Sequence, residues 1–206
     1  MMRAIRLACG TLALLVLPAA AFAQDGTTPF LTIPQPLAKG QSDIGGYVSI
    51  EDNIDLFGVY RRGLGTRFDG GLRAGYTAAG NGGVNVGADF RYLIAGASKD
   101  LPLNFAFVAS TQFSFVDAGL LLSIPFGVSL GAEIQAGEGR PLWLYGLPYG
   151  IYGYFNPDAA GIDSDSDFDF GAEIGAQLWL SGKLWLTSAF TIQNDPAFAI
   201  GLSYRE

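Results

Sequence analysis

Residues 84–94 read VNVGADFRYLI, and their alternation decides the fold. Val84, Val86, Ala88, Phe90, Tyr92 and Ile94 share one face of an extended chain, while Asn85, Gly87, Asp89 and Arg91 share the other. Successive side chains of a strand point to opposite sides, so this period of two predicts a strand with one apolar face. The scheme recurs three times. Leu103, Phe105, Phe107, Ala109, Thr111, Phe113 and Phe115 stand against Asn104, Ala106, Val108, Ser110, Gln112 and Ser114. Leu122, Ile124, Phe126, Val128, Leu130, Ala132 and Ile134 oppose a face of Ser, Pro, Gly, Glu133 and Gln135. Phe168, Phe170, Ala172, Ile174, Ala176, Leu178 and Leu180 oppose Asp169, Gly171, Glu173, Gly175 and Gln177.

The second face is short-chained and almost without Lys, which suits a narrow lumen better than open water. The large apolar face then meets lipid, as in a transmembrane barrel. Closure satisfies every backbone N–H and C=O within the bilayer, which an open sheet cannot do. The predicted fold is an all-β, closed antiparallel up-and-down transmembrane barrel of about ten strands. They fall near 43–50, 53–62, 66–78, 83–95, 102–115, 120–136, 141–154, 167–180, 183–192 and 197–205; merging the first hairpin and one more pair would leave eight. A secreted soluble barrel that binds an apolar ligand is the alternative.

Composition narrows the chemistry. Half of the 206 residues are apolar, 15% are charged, and the pI is near 4.5. An acidic chain of this kind does not suit nucleic acid. There is no His, and the single Cys is Cys9, so a Ser-His-Asp triad, a Cys–His dyad and a His-based metal site are excluded. Residues 1–23 carry Arg3 and Arg6, an apolar run from Leu7 to Leu17 and the small-x-small sequence Ala21-Phe22-Ala23, which reads as a cleaved signal peptide. Its removal would leave 10 basic against 19 acidic residues and no Cys. Residues 24–42, QDGTTPFLTIPQPLAKGQS, hold Pro29, Pro34 and Pro36, which oppose both helix and ladder pairing. This stretch reads as a flexible N-terminal tail, or as a segment that folds back into the lumen or meets a partner. The barrel is expected over 43–206.

Aromatic residues gather near the expected strand ends: Tyr60, Tyr76, Tyr92, Trp143, Tyr145, Trp179, Trp185 and Tyr204. Such rings favour the headgroup level, and the eight are assigned to interfacial girdles. The stretch 59–76, VYRRGLGTRFDGGLRAGY, resembles a hairpin of small outer-membrane β-barrel proteins of Gram-negative bacteria. The final AFAIGLSYRE is similar to the C-terminal signal read by the barrel-assembly machinery, with Phe198, Ile200, Leu202 and Tyr204 alternating. It departs in ending on Arg205-Glu206 where an aromatic usually closes the chain. The resemblance implies residence in the cell outer membrane and contact with its lipids, lipopolysaccharide and the assembly machinery. It implies no enzymatic activity.

Arg67, Asp69, Arg73, Asp89, Arg91, Gln112, Glu133, Glu173 and Gln177 are the expected lumen network. Buried charge needs partners, so these groups read foremost as ion pairs filling a narrow interior. A polar conduit and carboxylate acid–base chemistry are the other uses of the same residues. The run containing Asp163, Asp165 and Asp167 supplies candidate cation ligands, but it lacks the Gly and Glu of an EF-hand and reads as a solvated acidic loop. No cofactor is expected. The functional expectation is a structural or interaction role, or a narrow passive pore.

Overall fold

The computed structural model describes residues 28–51, 54–78, 83–116, 119–157, 164–193 and 196–206. Among them, ten strands close into one antiparallel barrel. They are β1 (Ser42–Ile50), β2 (Ile54–Gly63), β3 (Phe68–Thr77), β4 (Gly83–Ala95), β5 (Asn104–Val116), β6 (Gly119–Ala136), β7 (Arg140–Pro157), β8 (Asp165–Ser181), β9 (Leu184–Ile192) and β10 (Ala197–Arg205). Each strand pairs with the next, and β1 closes the ring against β10 from Asp43 opposite Arg205 to Ile50 opposite Phe198. The ten-strand expectation holds, first hairpin included. The expected signal peptide, residues 1–23, lies outside the described residues.

Register preserves the alternation all round the wall. Ile44, Leu56, Leu72, Val86, Phe107, Phe126, Leu144, Ile174, Phe190 and Ile200 all stand exposed on the outer face. The outward positions of the strands carry charge only at Arg62 and Arg140, each at a strand end. Polar side chains lie inside: Asp69, Ser129, Glu173 and Thr187 have no measurable exposure. Water-soluble barrels have the reverse arrangement, and this one is suited to hydrocarbon outside.

Two prolines interrupt the ladders. The β5–β6 pairing lapses, with its register kept, between Ala109 opposite Phe126 and Gln112 opposite Ser123, where Pro125 lies. The β6–β7 pairing lapses in the same way between Gly127 opposite Tyr149 and Leu130 opposite Gly146, beside Pro148. Proline has no N–H to donate, and pairing is lost around it.

The expected free tail is inside the barrel. Phe30, Leu31, Thr32, Ile33 and Leu37 are each at most 4% exposed, and Pro34 is fully buried. From Leu37 back to Thr28 the chain runs up the lumen, away from the end that holds Ser42 and Arg205. A turn at residues 38–41 reverses it into β1, with Gly40 in the left-handed region and its N–H bonded to the Gly63 carbonyl. A side chain at Gly63 would strike the Ala38 carbonyl at 2.0 Å, so glycine is needed where the segment crosses β2. The prolines do prevent ladder pairing, as expected. The segment's polar main-chain groups find wall side chains instead.

Candidate functional site

The lumen is built from three sets of residues: charged pairs, inward tyrosines and the N-terminal segment. On β2, β3 and β4, Arg61 and Arg73 both bond Asp89, at 2.9 and 3.2 Å, and Arg91 bonds Asp69. All five are nearly or wholly buried. Cross-strand register explains the grouping, since Asp69 stands directly opposite Arg91 and Gly71 directly opposite Asp89. At Gly71 a Cβ would approach Asp89 Oδ1 to 2.8 Å, so the missing side chain leaves room for the carboxylate between its two arginines. Arg205 bonds Asp43 at 2.9 Å and Gln177 at 2.9 Å near the mouth where β1 begins and β10 ends.

The same groups grip the segment's backbone. Arg73 donates to the carbonyls of Pro29 (3.2 Å) and Phe30 (3.4 Å) and to the Thr28 hydroxyl (3.0 Å). Arg91 donates to the Ile33 carbonyl, and Ser129 donates to the Thr32 carbonyl at 3.1 Å. Asp69 accepts the Leu37 N–H at 2.7 Å. Glu173 on β8 accepts the N–H groups of Phe30 (2.7 Å) and Leu31 (2.9 Å) and the Tyr145 hydroxyl (2.8 Å). Leu31 has φ 53°, the left-handed conformation, which turns two successive N–H groups toward one anion.

Apolar side chains of the segment enter pockets on different walls. Phe30 packs among Val108, Leu147, Tyr149 and Ile151, its ring edge-on to Tyr149 at 5.4 Å. Leu31 packs among Tyr47, Phe57, Val59, Ala189 and Ala199. Ile33 meets Trp143 and Tyr145, with Trp185 against them. Glycines opposite the tyrosines make the space: Tyr47 faces Gly201, Tyr145 faces Gly175 and Tyr149 faces Gly171. A Cβ at Gly175 would lie 2.4 Å from the Tyr145 ring. Beside Thr28 remains a cavity of about 10 Å³, bounded by Phe57, Arg73, Asn85 and Gln112 among others. That is room for about one water.

Of the nine expected network residues, seven lie buried in the lumen: Asp69, Arg73, Asp89, Arg91, Gln112, Glu173 and Gln177. Arg67 does not. It precedes β3, where strand alternation has not begun, and lies exposed with its guanidinium on the Ile94 carbonyl and over the Tyr92 ring. Glu133 has the inward phase but stands exposed near the β6–β7 turn. Arg61 was not among the nine, although its phase, two residues from Val59, marks it as inward.

The girdle assignment also divides. Tyr60, Tyr76, Tyr92 and Tyr204 stand outward and 41–49% exposed near strand ends. Trp143 and Tyr145 are only 6% exposed and face the lumen, because β7 is apolar on both faces and Gly131 and Gly175 opposite Tyr145 make room inside. Trp185 turns inward beside them, stacked under Arg205 at 4.5 Å, and Trp179 stands directly across from it. Of the acidic run, Asp163 lies outside the described residues; Asp165 is exposed and caps the Ser166 N–H, and Asp167 is part-buried in β8. Among the described residues, no group of three or more acidic, His or Cys side chains could hold a metal ion.

No protein-family model and no curated relative matches the chain. Among solved structures it is similar to the N-terminal β-barrel domain of Pseudomonas aeruginosa OprF, at 8% identity and TM-score 0.40, covering 82% of this chain and 100% of that one. It is similar to the KdgM porin at 6% identity and TM-score 0.41, covering 79% and 98%. It is also similar to Ail, the attachment invasion locus protein of Yersinia pestis, at 13% identity and TM-score 0.30, covering 82% and 99%. At these identities and TM-scores the comparison adds nothing to the barrel architecture already described.

Proposed function

We propose that this chain is an exported outer-membrane barrel with a structural or interaction role, its lumen kept shut by residues 28–37. The inside-out distribution of side chains carries this reading: an apolar face all round the outer wall, and buried polar groups within. In the outer membrane the start of β1 and the end of β10 would face the periplasm, the side that bacterial barrels close with short turns. Its surroundings would be outer-membrane lipid and lipopolysaccharide, reached through a cleaved signal peptide and the barrel-assembly machinery. The packed interior supports a closed barrel over an open conduit. Ten strands already leave little free space, since about eight give a lumen just wide enough for side chains to fill.

Membrane fractionation, a gel run with and without boiling, and bilayer conductance test this together. The expected result is detergent-dependent extraction, a faster band before heating and no steady current. Steady current would establish a narrow pore. A soluble protein with no mobility shift would favour a soluble barrel that binds an apolar ligand.

A further inference from the structure

We propose that the lumen is a binding site for an extended, uncharged polypeptide segment recognised through its main chain, and that residues 28–37 are the occupant this chain supplies to itself. The wall addresses backbone more than side chains. Carbonyls of Pro29, Phe30, Thr32 and Ile33 receive donors from Arg73, Ser129 and Arg91, and the N–H groups of Phe30, Leu31 and Leu37 reach Glu173 and Asp69. Three separate apolar pockets take Phe30, Leu31 and Ile33, which supplies sequence preference on top of main-chain recognition. Peptide sites that add a strand to a sheet divide the work in the same way, although here the ligand lies across a lumen and not along an edge.

The wall's ion pairs are made without the segment, whereas Glu173 bonds the segment's N–H groups and the Tyr145 hydroxyl. Residues 28–38 bear no charged side chain, so the ion pairs of Arg61 and Arg73 with Asp89, and of Arg91 with Asp69, are complete among wall residues. Ion pairs already made in the wall need not be reorganised on binding, which favours a real ligand equilibrium. The described part of the segment joins the barrel through one connection, the turn at residues 38–41, where Lys39 and Gly40 are exposed.

That turn allows a test on the folded chain. Lys39, Lys99 and Lys183 are its only lysines, so the K99R/K183R variant has a single site for a lysine-specific protease, between segment and barrel. The protein is folded in micelles, cut, and mixed with fluorescent synthetic peptide of residues 28–39. The proposal predicts that the cut barrel keeps its fast unheated band and that labelled peptide exchanges in saturably. Peptide N-methylated at Leu31, which cannot donate to Glu173, should bind at least about tenfold more weakly. Three results would overturn it: unfolding of the cut barrel, no exchange under excess peptide, or equal binding of a scrambled sequence. Lumen and outer wall are probed separately, since the boiling gel of the intact chain reports membrane character whether or not peptide exchanges.

Discussion

Glu173 and Leu31, 142 residues apart, are joined by a 2.9 Å hydrogen bond from the Leu31 N–H, at the one described non-glycine residue in the left-handed conformation. A left-handed L-residue costs roughly 1–2 kcal/mol. Here the cost is offset by the carboxylate, which gathers the N–H groups of both Phe30 and Leu31 while the Leu31 side chain fills a pocket between β1, β2, β9 and β10. The contact joins β8 to the N-terminal segment and sets the kink at its centre.

Glu173→Gln keeps the size of the side chain but puts an amide donor where one N–H must be accepted. One buried N–H loses its acceptor, at a cost of about 1–3 kcal/mol. The expected readout is a lower urea midpoint in micelles and faster protease cleavage within residues 28–37. An unchanged midpoint and unchanged cleavage would mean that Glu173 does not hold the segment.

At Leu31 the usual ranking of alanine above glycine should disappear. Both substitutions remove a buried leucine side chain, typically costing about 2–5 kcal/mol for Leu→Ala. Only glycine also relieves the left-handed strain, which cancels or outweighs its usual deficit of roughly 0.5–1 kcal/mol. Urea titration of Leu31→Gly and Leu31→Ala should therefore place glycine level with or above alanine. Alanine well above glycine would contradict the conformation.

Gly175→Ala tests the Tyr145 pocket. A methyl group would lie 2.4 Å from the Tyr145 ring and push its hydroxyl off Glu173. Overpacking of this kind typically costs about 1–3 kcal/mol. Gly175→Ala/Tyr145→Phe should be no less stable than Gly175→Ala alone, because the displaced hydroxyl no longer bonds; a clear further loss would show that the ring had not moved.

The outer wall is tested at Leu72, which is 64% exposed in mid-β3. In bilayers, arginine on the lipid face costs about 2–4 kcal/mol near the midplane and about 0–1 near the interface. Leu72→Arg should destabilise folding into vesicles far more than Tyr76→Arg near the strand end. On a water-exposed face, Leu72→Arg would stay within about 0.5 kcal/mol of the parent.

Strand positions and the lipid-facing side were legible because a period of two, repeated with glycine and serine opposite Phe and Leu, has one inside-out interpretation. The wall charges Asp89, Arg91 and Glu173 followed from the same phase. β7 was not legible in this way: Trp143, Tyr145, Leu147, Tyr149 and Ile151 are as apolar as the residues between them, and only glycines on neighbouring strands show where the rings go. Residues 28–37 were ambiguous for a different reason. Their prolines exclude ladder pairing equally in a free tail and in a segment held by side chains, and the groups that hold Phe30 and Leu31 lie more than forty residues away in sequence. The local hint was the cluster of Phe30, Leu31, Ile33 and Leu37, which a solvated tail has no need of.

Thiol protection at Thr32 tests the occupied lumen most directly. The chain from Gln24 onward has no Cys, and Thr32 is 1% exposed while Lys39 is exposed at the turn. In micelles, a bulky maleimide should label Lys39→Cys at once and Thr32→Cys only after boiling. Labelling of Thr32→Cys in the unheated barrel as fast as Lys39→Cys would place the segment outside and contradict the closed lumen.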